Sequence, residues 1–137
     1  MTSIMHALES LRDALAAVPD LKTCRIGLEP DISPDDYPMI RLVPVRLRPH
    51  TQTLPGAHLA GEAEVLIYLG APIGAEDAGG LEALYRQQFK TWQAVMDILA
   101  YPPAGILDAH AEETITDEDS IDAYKMMAVR ARILYPA

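Results

Sequence analysis

The stretch from Leu81 to Tyr101 constrains the fold more than any other part of the chain. Leu81, Leu84, Tyr85, Gln88, Trp92, Val95, Met96 and Leu99 recur at the spacing of one helix face, and Gln88 alone interrupts the apolar stripe. Glu82, Arg86, Gln87, Lys90, Gln93 and Asp97 fall on the far side, so the spacing predicts a surface helix with one buried face. Asp77, Gly79 and Gly80 mark its entry, Glu82 suits the positive end of the helix dipole, and Pro102-Pro103 stops it. Such a helix is roughly 30 Å long. Each large apolar side chain it buries stabilises the fold by roughly 1.5–3 kcal/mol. It therefore needs a sheet or a second helix to lie on.

The chain has 137 residues, 50% of them hydrophobic, which suits one compact domain over residues 1–137. No apolar run approaches the roughly 20 residues of a membrane span. Met1 to His6 lack a basic region followed by an apolar core, so no secretory signal is expected. Cys24 is the single cysteine, which excludes an intramolecular disulfide and the usual zinc frameworks and favours a reducing compartment. A net charge of -9 and a pI near 4.7 argue against a sequence-independent nucleic-acid binder, which neutralises phosphates with Lys and Arg.

In chain order, Ser3 to Val18 read as a first helix with Ile4, Leu8, Leu11, Leu15 and Val18 on one side, ended by Pro19-Asp20. Lys22 to Leu28 alternate as a short strand. Glu29 to Asp36 form a turn-rich link, and Tyr37 to Leu47 a second strand that Pro38 and Pro44 restrict to an edge or interrupt. Arg48 to Gly61 show neither period and read as a long loop. Glu62 to Gly70 are the clearest strand, Gly105 to Thr116 contain an uncertain one, and Ala123 to Tyr135 are strand-like again. Helices and strands are segregated, which predicts an α+β fold: a mostly antiparallel four-stranded sheet with both helices on one face.

Chemistry-bearing clusters are sparse. His6, His50, His58 and His110 are scattered, and none has the spacing of a helical metal pair. His50 and His58 share the long loop, but a metal site also needs a third ligand and a second shell. Asp108, Glu112, Glu113, Asp117, Glu118, Asp119 and Asp122 lie in a stretch without Lys or Arg. A calcium loop starting at Asp117 fails at its fifth and sixth positions, Ile121 and Asp122. The stretch reads as a solvated loop or as a docking surface for a basic partner. Arg41, Arg46 and Arg48 on the second strand and Arg130 and Arg132 on the last can line a basic face or edge. Glu62 and Glu64 can pair with them inside the protomer, at about 0.2–1 kcal/mol per pair, and pairing between subunits is the alternative. There is no phosphate-binding glycine loop, no nucleophile motif and no Cys/His dyad, so enzymatic activity is not expected.

The layout resembles the tail-terminator and neck (head-tail joining) proteins of long-tailed bacteriophages and prophages. The likeness lies in an N-terminal helix ending in Val18-Pro19, strand Thr23 to Gly27, the acidic turn into Tyr37 to Pro44, strand Glu64 to Leu69, the long helix, and the closing Ala128 to Pro136. The resemblance implies a non-enzymatic virion protein without a cofactor. It would act as a homohexameric ring that caps the tail tube, ends its polymerisation and joins it to the head-side connector. Its partners would be itself, the tube protein and the connector, with no membrane and no direct nucleic-acid recognition. It would sit at the tail-head junction of the virion, and in the host cytoplasm during assembly. The family transfers no residue one to one. Interface candidates are Arg41, Arg46, Arg48, His50, His58, Glu112, Glu113, Asp117, Arg130 and Arg132, with the 48–61 loop projecting from the ring and the acidic 108–122 segment on a docking face. The alternatives are a head-completion or connector protein and a small ligand-binding or regulatory domain.

Overall fold

A computed structural model of the chain describes residues 3–54, 58–72, 80–116 and 124–136. The elements run α1 (Ser3–Ala16), β1 (Thr23–Ile26), a short 3-10 turn (Pro34–Asp36), β2 (Met39–Leu54), β3 (His58–Pro72), α2 (Gly80–Ala100), β4 (Asp108–Thr116) and β5 (Tyr124–Pro136). The expected long helix is α2. Leu84, Gln88, Val95 and Leu99 of its stripe are buried, whereas Glu82, Arg86, Lys90, Gln93 and Asp97 are exposed.

The strands form one α+β sheet in the order β1-β2-β3-β5-β4. This corrects the expected number of four strands to five among the described residues; the sheet is mostly antiparallel, as expected, but β1 runs parallel to β2, with Thr23 beside Met39 and Ile26 beside Leu42. The other three pairings are antiparallel. A 12-residue link between Ile26 and Met39 is long enough to bring the chain back for a parallel pairing, which a hairpin cannot do.

Period-two alternation divides the sheet into two faces. On one, Ile40, Leu42, Val65, Ile67, Val129 and Ile133 are fully buried with Leu11 and Leu15 of α1 and Val95 of α2. On the other, Glu62, Glu64, Leu66 and Tyr68 alternate with them along β3 and stay partly accessible. Gly61 is required for close packing: a Cβ there would lie 2.5 Å from the ring of Tyr135 on the neighbouring strand.

One expected loop is part of a hairpin, and the uncertain strand within 105–116 is formed as β4. Residues 48–61 belong to the β2-β3 hairpin, with Arg48 beside Glu62, Thr53 beside Leu59 and Leu54 beside His58, leaving 55–57 outside the described residues. The alternation was illegible because the register shifts twice, between Pro44 and Arg46 and between Pro49 and Thr53. The first shift inserts one extra residue in β2 and the second two, so neither leaves an unbroken alternation. The first half of the acidic 108–122 segment is strand β4, and its bulge between Ala111 and Glu113 leaves Glu112 and Glu113 both exposed in succession.

Candidate interaction surface

The face of the sheet away from the helices carries the predicted arginines. Across β2, β3, β5 and β4 the register aligns Arg46, Glu64, Arg132 and His110 in one row and Arg48, Glu62, Leu134 and Asp108 in the next. Arg130, beside Leu66, faces Glu113 on β4. These rows build a network of alternating charge. Arg130 Nη2 lies 2.8 Å from Glu113 Oε2, and Arg132 Nη2 lies 2.8 Å from Glu112 Oε1. Glu62 approaches Arg132 Nε at 3.4 Å, and Glu64 lies between Arg130 at 3.4 Å and Arg46 at 3.8 Å. Arg130 Nε is buried without a hydrogen bond, 3.6 Å from Glu112 Oε2. The expected pairing of Glu62 and Glu64 with arginines inside the protomer is observed. Solvent-exposed pairs of this kind contribute about 0.2–1 kcal/mol each.

Arg41 lies on the same face but in a different environment. It is 0% exposed, because the link from Gly27 to Pro38 folds over it. Its Nε donates to Glu29 Oε1 at 2.6 Å and Nη2 to Glu29 Oε2 at 3.1 Å, while Nη1 donates to the Thr23 hydroxyl and to the Ile40 carbonyl. Asp36 Oδ2 lies 4.0 Å away, and Arg25 pairs with both acids from the outside. The hydrogen bonds from the Arg41 guanidinium hold the Glu29 carboxyl down at about 2. Arg41 is thus an internal fastener of the 27–38 link and is absent from the surface that Arg46, Arg48, Arg130 and Arg132 line.

Of the remaining candidates, Glu112 and Glu113 are exposed on β4, whereas the side chains of His50 and His58 and all of Asp117 lie outside the described residues. Sequence reasoning missed the Glu29–Arg41 pair, whose signal is an arginine amid the apolar run Met39 to Val43. It also missed an open apolar groove of about 470 Å³ at the β4 edge, lined by Phe89, Trp92, Gln93, Thr114, Thr116 and Met127. The indole of Trp92 donates to the Thr114 hydroxyl at 2.9 Å, which fixes α2 to this edge. Cys24 is half-buried under α1, where its thiol donates to the Arg12 carbonyl and burial pushes it up to about 11. Among the described residues, no group of His, Cys, Asp and Glu is arranged to hold a metal ion.

Together the elements define an α+β scaffold with a helix-covered face, a charged open face and a long hairpin. No protein-family model matches the chain, and no curated protein matches it in sequence. Among solved structures, the fold is similar to a chain of the virion of a native gene transfer agent particle, with a TM-score of 0.58, 11% identity and 100% of both chains covered.

Proposed function

We propose that the chain is a structural component of a phage-like virion, working as a homo-oligomeric ring that caps the tail tube, ends its polymerisation and joins it to the head-side connector. The observation that carries this reading is the end-to-end structural likeness to a chain of a gene transfer agent virion. Three features of the molecule support it. The hairpin extends beyond the other strands, since β5 pairs with β3 only from Ala60 onward whereas β2 pairs with it back to His58. Charged side chains cover the open face in place of a substrate cleft. The apolar groove is open to solvent, and the indole N–H of Trp92 and the amide of Gln93 on its wall already donate to Thr114 and Asp97. Surfaces therefore do the work, without a cofactor or a catalytic step.

Light scattering over a concentration series, with and without tail tubes, tests the reading, and negative-stain images define the species. A six-membered ring with a central hole is expected, alone or on the tubes. A monomer or two-fold dimer under both conditions overturns it. Rings that bind the connector but leave tube length unregulated assign the chain to the head-completion alternative. Deleting Gln52 to Leu59, the end of the hairpin, is expected to leave the fold intact and abolish length control.

A further inference from the structure

We infer that the ring closes through the two open edges of the sheet, with β4 of one copy lying against the Pro44–Arg48 stretch of β2 in the next; the inference rests on the ring reading above. β1 covers only Met39 to Leu42 of β2, and the last bond between them runs from the Gly27 amide to the Leu42 carbonyl at 2.7 Å. Beyond it, β2 is paired on one side only among the described residues, and Val45 and Leu47 are 50% and 55% exposed. Among the same residues β4, at the far end of the strand order, is likewise paired on one side only.

The two edges carry opposite charge. The β2 stretch presents Arg46 and Arg48 and no acid, while β4 presents Asp108, Glu112 and Glu113 and neither Lys nor Arg. Copies meeting β2 to β2 or β4 to β4 oppose like charges, which is destabilising, whereas β4 against β2 opposes unlike ones. The charge arrangement therefore selects a heterologous, head-to-tail contact, the kind that generates rings.

A single register satisfies both faces. β2 and β4 run in opposite directions within the sheet, and the rows place Arg46 level with His110 and Arg48 level with Asp108. Joining two copies without a shift sets Arg48 against Asp108 and Arg46 against His110, diagonal to Glu112, on the charged face. On the other face it sets Leu47, which shares the side of Ala63, against Ala109, next to exposed Leu107. A slip of one residue would turn Leu47 to the acidic side. The Leu42 carbonyl faces the open edge, so Pro44, two residues on, faces it too, and its missing N–H keeps the backbone contact short.

Charge reversal tests the contact. R46E/R48E makes both edges acidic, and D108K/E112K/E113K makes both basic. Each variant alone is expected to lose ring formation, and an equimolar mixture to recover it as alternating copies in an even-membered ring. Circular dichroism and a thermal melt confirm folding, which both variants strain, the lysines beside Arg130 and Arg132 and the new glutamates beside Glu62 and Glu64. Leu47→Asp, on an exposed side chain, provides an independent check, with association expected to weaken roughly tenfold or more. Rings formed by the native chain and equally by the folded single-edge variants or Leu47→Asp overturn the contact and leave the ring reading standing. A native chain that makes no ring even on tail tubes overturns both.

Discussion

The two ends of the charged face of the sheet use the same chemistry to different ends. At one, Arg41 is sealed under the 27–38 link with a two-oxygen grip from Glu29. At the other, Arg46, Arg130 and Arg132 share Glu62, Glu64, Glu112 and Glu113 in contact with water. The difference shows that burial, more than the number of ion pairs, decides what a charge does. The sealed arginine holds one arrangement of the chain, because its guanidinium left without Glu29 is a charge without water. An open network, whose arginines keep contact with water, costs little to rearrange.

Removing Glu29 gives the largest expected effect. Glu29→Ala strands the guanidinium of Arg41 beneath the link with only the more distant Asp36 nearby, and a loss of about 3 kcal/mol is expected in urea unfolding. Adding Arg41→Met to that variant should recover part of the loss. Equal stability of Glu29→Ala and the native chain would erase the distinction between the two ends. Acid sharpens it further. Because Glu29 is held at about 2, below its ordinary value of 4.5, the pair contributes stability that is fully present above 4.5 and is lost as pH falls toward 2. The melting temperature of the native chain should therefore drop more steeply than that of Glu29→Gln across this acid range. The open network supplies the smallest effect. Arg132→Ala should cost less than about 1 kcal/mol, and the difference should vanish near 1 M salt, where screening reaches about 3 Å. The cost of Glu29→Ala should survive the same salt.

Much of the scaffold is legible in the residues. The stripes of α1 and α2 and the alternation of Glu62 to Gly70 and of Met127 to Ile133 report buried faces directly, since burial is what their spacing encodes. What escaped reading has a common cause. The 48–61 segment, read as a loop, and 108–116, where the strand was uncertain, each contain an irregularity in the pairing, so no unbroken alternation spans either. The parallel placement of β1 depends on how the 27–38 link folds back, and no short-range pattern carries that. For the surface, Arg46, Arg48, Arg130 and Arg132 were visible as a group because they alternate with apolar residues. Arg41 belongs to the same alternation, and only the acids contributed by the link separate it from them.

The strand order has a consequence for synthesis. β5 is last in the chain but lies between β3 and β4, so β4 reaches the sheet only through a partner made after it. On a ribosome, α1, the hairpin and α2 can emerge and begin to pack while the acidic strand still has nothing to pair with. The β4–β5 pairing is itself local, but docking β5 on β3, across α2 and β4, is a long-range pairing and the slow kind of folding step. The edge that carries Asp108, Glu112 and Glu113 is therefore completed only after β5 has been made, and until then these acids belong to a segment with no strand to lie against.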